Sequence, residues 1–183
     1  MSMQPFKKTR YIIYGHILFV ALCELGFDFA VAFSNGFEVA ERFLFATGIV
    51  AASLSTLKVV WACLLLAYND KPKSNLIFAR ASFHFYSALI VALSSATISI
   101  PFFTKIPAQC DFVTYSDGLA GIWCTWLSVA IGLAWILVIL SAASAHLIYR
   151  QSYNLNISLD SNIILLDERG SVPLKDSSRR AVV

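Results

Sequence analysis

Four apolar runs, each more than twenty residues long, decide what this chain can become. They extend from about Tyr11 to Phe33, Phe43 to Tyr68, Ile77 to Phe103 and Gly121 to Tyr149. A helix that crosses the hydrocarbon core of a bilayer needs ~20 apolar residues, so every run is long enough. None shows the alternation of lipid-facing and lumen-facing residues that marks a membrane barrel strand. Backbone polar groups in lipid must pair within their own segment, which leaves the helix. The connectors 34–42, 69–76 and 104–120 carry the turn formers Ser34-Asn35-Gly36, Asn69-Asp70-Lys71-Pro72 and Ser116-Asp117-Gly118. The expected fold is an all-α membrane protein, an antiparallel bundle of four transmembrane helices over residues 11–149. A short segment, 1–10, precedes it, and a polar tail, 150–183, follows as disordered chain.

Composition excludes the alternatives. Apolar residues make up 58% of the 183 and charged residues 14%, against about 45–50% and 25% in ordinary soluble domains. So little polar surface does not cover a soluble globule, and so much apolar surface rules out disorder for the bulk of the chain. The net charge of +3 matters less than its placement. Lys7, Lys8 and Arg10 precede the first run; Lys71, Lys73 and Arg80 lie around the second connector; Arg150 follows the fourth run. The first connector offers only Arg42, beside Glu38 and Glu41, and the third only Lys105. Excess Lys and Arg mark cytoplasmic ends, so both termini are expected in the cytoplasm, in the plasma membrane or else an endomembrane. A cleaved signal peptide competes for the first run, with Lys7-Lys8-Thr9-Arg10 as its basic region and Ala30-Val31-Ala32 as its small-residue ending. Glu24 and Asp28, in a run that stays apolar to Phe33, favour a retained span.

Charges inside spans are the sharpest clue, because each costs at least ~2.5–3.5 kcal/mol near the bilayer centre. Glu24 and Asp28, four residues apart, share a face of the first helix, and Lys58 lies midway along the second. By helical rise Glu24 sits about 20 Å, and Lys58 about 15 Å, from the cytoplasmic ends of their spans. A leaning lysine stem covers the difference. Glu24 and Lys58 are therefore expected to neutralise each other inside the bundle, with Asp28 nearer the outer end and partly wet. A structural pair that fixes helix register is the favoured meaning. The alternative is a proton or ion carrier built on Glu24, Asp28 and Lys58.

The remaining residue types speak mainly for packing. His16, His84 and His146 fall on separate spans toward the cytoplasmic ends, as interfacial anchors rather than a metal site. Tyr11, Tyr14, Tyr68, Trp123, Trp126 and Tyr149 fit an aromatic belt, and Trp135 is expected between helices. Small residues, among them Gly48, Ala51, Ser95, Gly132 and Ser141, allow close helix approach. Pro101 is expected to end or bend the third helix. Cys110 and Cys124 both face the outer side and are expected to pair. The closed loop of 13 intervening residues is worth about 3 kcal/mol in the chain-entropy model; burial of Cys124 would instead leave two free thiols. In the tail, Ile163-Ile164-Leu165-Leu166 interrupts the polarity as a short surface helix or strand, and Asp160 with Ile164-Leu165 is loosely similar to an acidic dileucine sorting signal.

Four spans, both ends inside and short connectors resemble the plan of MARVEL-type proteins. Cys110, Cys124 and the run Trp126-Leu127-Ser128-Val129-Ala130-Ile131-Gly132-Leu133-Ala134-Trp135-Ile136-Leu137 are similar to the fungal members, whose two outer cysteines accompany an aromatic-rich last helix. The likeness covers the spans and not the tail. It implies a non-enzymatic organiser of membrane microdomains or membrane apposition, whose partners are membrane lipids, other membrane proteins or copies of itself. An auxiliary subunit of a larger membrane complex is a further alternative. No nucleotide, dinucleotide, hydrolase or metalloprotease motif occurs, so no catalytic residue, cofactor, metal or nucleic-acid partner is expected.

Overall fold

Each apolar run folds as one long helix. The computed structural model describes residues 5–34, 42–69, 77–110, 120–164 and 166. Helix α1 spans Pro5–Ser34, α2 Arg42–Tyr68, α3 Ala81–Gln109 after a 3₁₀ turn at Ile77–Ala79, and α4 Ala120–Leu155. All four contain stretches long and apolar enough to cross a membrane: Phe6–Phe33, Phe45–Tyr68, Ala81–Ile106 and Cys124–Leu155. No strand occurs among the described residues, only an isolated antiparallel bridge between Arg80 and Asn162.

The inward faces follow a spacing of three and four. On α1 the buried positions include Arg10, Tyr14, Ile17, Ala21, Glu24, Asp28 and Val31; on α2 they include Ala51, Ser55, Lys58, Ala62 and Leu65, with Asn69 just past its end. On α3 the series runs His84, Ala88, Val91, Ser95, Ser99, Phe102, and on α4 Leu127, Ala130, Ala134, Leu137, Ser141, Ser144, Ile148. A 3.5-residue period is the seam of helices packed as in a left-handed coiled coil. The seam carries many small and polar residues, among them Ala21, Glu24, Ser55, Lys58, Ala88 and Ser141, while Phe19, Phe33, Leu57, Ile90, Leu93 and Ile139 point outward. That inversion suits lipid, where no hydrophobic drive joins helices and close approach decides the packing. Gly48 marks the tightest point: a Cβ there would lie 2.8 Å from the Cα of Ala32.

The helices run up, down, up, down. α1 packs between α2 and α4, α3 packs on α4, and α2 and α3 share only a small contact. Two apolar clusters fill the interior. One holds Tyr14, Ile17, Ala62, Leu65 and Leu137; the other holds Val31, Ala51, Phe102, Leu127 and Ile131, toward the end where a disulfide joins Cys110 to Cys124. The chain is an integral membrane protein that passes the bilayer four times.

Several expectations need correction. α3 does not stop at Pro101 but continues to Gln109. The hydroxyl of Thr104 donates to the Pro101 carbonyl at 2.7 Å, and buried Phe102 anchors this stretch in the core, which outweighs the ~3 kcal/mol that an interior proline costs. Trp135 is not wedged between helices; it is 46% exposed on the outer face of α4. Tyr14 leaves the aromatic belt for the core, at 1% exposure. The tail is not disordered from residue 150. α4 runs on to Leu155, where Asn156 turns the chain with φ 51°, a left-handed conformation that Asn tolerates better than most residues. Ile163 and Leu166 are then fully buried against Ala81 and Ile148, so the apolar run in the tail is a packing element and not a surface one. Leu165, and with it the full dileucine-like pair, lies outside the described residues, as does the chain beyond 166.

Candidate functional site

The seam of α1 carries its two carboxylates where they meet the polar part of α2. Lys58 Nζ donates to both Oε1 and Oε2 of Glu24 at 2.9 Å. Lys58 is 4% and Glu24 1% exposed. One turn on, the Ser55 hydroxyl donates to Oδ2 of Asp28 at 2.7 Å. The register follows from the antiparallel pairing: four residues forward on α1 matches three back on α2, so both pairs bridge the same two helices.

Asp28 is not partly wet. It is 1% exposed, because its spacing from Glu24 keeps it on the inward seam despite its position nearer the disulfide end. Ser95 and Ser99 of α3 and Ser141 of α4 are buried on their own seams, so the middle of the bundle is a polar section between the two apolar clusters. Along the seams Ala21 and Val31 bracket Glu24 and Asp28 on α1, and Ala51 and Ala62 bracket Ser55 and Lys58 on α2, all four of them buried apolar residues. Charge enclosed in this way is stable only when paired and hydrogen-bonded. Among the described residues no ionisable side chain continues the seam from Asp28 toward the disulfide end, where Val31, Ala51 and Phe102 close it.

The three histidines do not come together. His16 is exposed, with Nδ1 bonded to the carbonyl of Ile12 at 2.7 Å, and His146 is exposed on α4. His84 is fully buried rather than interfacial. Its Nε2 donates to the Phe78 carbonyl at 2.9 Å, and its Nδ1 bonds the hydroxyl of Tyr14 at 2.9 Å, with the two rings stacked. This contact ties α1 to α3 across the bundle. Among the described residues no group of three or more His, Cys, Asp or Glu is placed to hold a metal ion. Arg10, counted with Lys7 and Lys8 among the basic residues before the first run, is buried, with its guanidinium 4.9 Å from the centre of the Phe6 ring. The signal for Arg10 was positional: it shares with Tyr14 and Ile17 the spacing that leads to Glu24.

At the opposite end Cys110 and Cys124 form a disulfide with a Cα–Cα distance of 4.9 Å, and Cys23 and Cys63 are free. It joins the end of α3 to the start of α4. Comparison of the chain with protein-family models, curated proteins and solved structures gives no match.

Proposed function

We propose that this chain is a non-enzymatic organiser of membranes, which gathers lipids, other membrane proteins or copies of itself into microdomains or holds membranes in apposition. The observation that carries the reading is the Glu24–Lys58 pair. Both carboxylate oxygens face one ammonium, and apolar clusters stand on either side. Such a pair sets helix register, and among the described residues no ionisable side chain carries the seam on from Asp28 toward the disulfide end. Bulky side chains such as Phe19, Phe33, Leu93 and Ile139 face the lipid, which gives lateral contacts to the outer surface rather than to an internal pocket. The MARVEL-type resemblance supports the same role. The Lys and Arg distribution supports cytoplasmic termini, and the plasma membrane is the favoured location.

Asp28 favours a second reading, as a small carrier. Its carboxylate accepts from the Ser55 hydroxyl and is paired with no cation among the described residues, which leaves two acids to one base in the section. Reconstitution separates the two. The double variant Glu24→Gln, Lys58→Met is expected to fold, reach its membrane and keep the lateral distribution of the parent. In liposomes, parent and variant should show the same ion and proton leak. A flux present in the parent and lost in a folded double variant overturns the organiser reading.

A further inference from the structure

α4 is longer than one crossing of a bilayer requires. By helical rise Tyr149 stands about 37 Å, and Tyr153 about 43 Å, from Cys124 at the disulfide end, whereas the hydrocarbon core is ~30 Å thick. The last turns of α4 therefore stand among lipid headgroups. Ile139, Ala143, His146, Arg150 and Tyr153 follow one another by four and three residues and are all exposed, so they share the face that α4 turns to lipid. Beside them Tyr149 is half exposed and stacks on Tyr153, with ring centres 6.4 Å apart.

α3 brings a second arginine to this depth. Phe85 meets Tyr149 with ring centres 6.1 Å apart, and from that register the antiparallel rise puts Arg80 level with the last turn of α4. Arg80 is exposed at the N-cap of α3 and makes no side-chain capping bond. The chain after α4 relieves it of that task. It turns at Asn156 and crosses this end of the bundle as a strap, in which Ile157, Leu159, Ile163 and Leu166 pack with Phe6, Ala81, Phe85 and Ile148. The carbonyls of Ser161 and Leu159 accept from the backbone N–H of Ala81 at 3.0 Å and of Ser82 at 2.6 Å, as the first N–H groups of a helix need. Among the described residues no acid pairs with Arg80 or Arg150. The exposed charges at this end are Lys8, Arg80 and Arg150 against Asp160 alone.

We propose that Arg150 and Arg80 hold the headgroup of an anionic phospholipid of the cytoplasmic leaflet. This rests on the organiser reading, whose lipid partner it names, and on the cytoplasmic termini that go with it. A guanidinium meets a phosphate through two parallel hydrogen bonds, and Tyr149 and Tyr153 add hydroxyl donors on rings suited to the interface. On the lipid-facing side at this depth, headgroups and water are what Arg150 can meet. The surplus of positive charge selects an anionic headgroup over a zwitterionic one.

Spin-labelled lipids read that selection. Full-length protein is reconstituted in phosphatidylcholine vesicles with a trace of spin-labelled phosphatidylserine or phosphatidylcholine, and the fraction of each label slowed at the protein is measured. The parent is expected to favour phosphatidylserine about fivefold, the factor that one basic residue near anionic lipid gives. Most of that preference should vanish in about 1 M salt, where the screening length falls to ~3 Å. Arg80→Gln with Arg150→Gln should bring it close to one, lysine at both positions should keep part of it, and Lys8→Gln should leave it unchanged. An unchanged preference in a double variant that keeps the disulfide and the thermal unfolding of the parent overturns the site. An equal loss from Lys8→Gln also overturns it, because diffuse surface charge then explains the selection. Inorganic phosphate that displaces the labelled lipid at constant ionic strength would assign the arginines to a free anion instead. Selection absent while tagged copies keep their lateral distribution sinks the site and leaves the organiser reading standing. Selection intact in copies that are evenly dispersed sinks the organiser reading and leaves the site.

Discussion

Lys58→Met alone is expected to cost the fold about 3–5 kcal/mol, the usual penalty for removing one partner of a buried ion pair. The variant leaves two carboxylates, Glu24 and Asp28, enclosed on the same seam with no cation among the residues bonded to them. Glu24→Gln alone should cost less, because Asp28 stands one turn away on α1 and can take over the ammonium, still neutralising it. The double variant Glu24→Gln, Lys58→Met should also cost less than Lys58→Met alone, since it leaves one uncompensated carboxylate, Asp28, in place of two. Unfolding titrations in mild detergent give the order directly. A Lys58→Met protein as stable as the parent would mean that the pair does not hold the helices in register.

The second large effect concerns the other end of the bundle. Replacing Cys110 and Cys124 by Ser, or reducing their bond, is expected to lower stability by about 3 kcal/mol, the loop-closure value for a cross-link of this span. The bond is separated by 14 residues in sequence and ties α3 to α4 where the two helices start and finish. At the far end of the same pair the strap caps α3 through Ser161 and Leu159. Loss of the disulfide should therefore loosen the Cys110 end first, with amide exchange rising there while Ala81 and Ser82 stay protected. Equal stability with and without the bond, measured by thermal unfolding, would contradict this.

Much of this arrangement was legible in the residues. Four spans followed from the length of the apolar runs, and the encounter of Glu24 with Lys58 followed from helical rise and antiparallel direction. What was not legible depended on which face each helix turns inward. Tyr14 and His84 look like interfacial residues by their distance from the span ends, yet their three-and-four spacing with Ile17 and Ala88 puts them on the seam. Average apolarity hides this, because in lipid the outer face is the more apolar one. Asp28 was misplaced because its depth nearer the outer end was given more weight than the face it shares with Glu24, which keeps it on the buried seam. The apolar run at Ile163 reads from sequence as a surface element, because its docking depends on a groove that three separate helices build. Pro101 shows a local rule yielding to packing, with Phe102 held in the core directly after it.

The central claim is that the chain crosses the bilayer four times, and the positions of its two ends relative to the membrane test it most directly. Epitope tags at each end, probed with protease in sealed vesicles of known orientation, should be protected or cleaved together, with access from the cytoplasmic face only. One tag cut while the other stays protected would mean an odd number of crossings and would contradict the four-helix account.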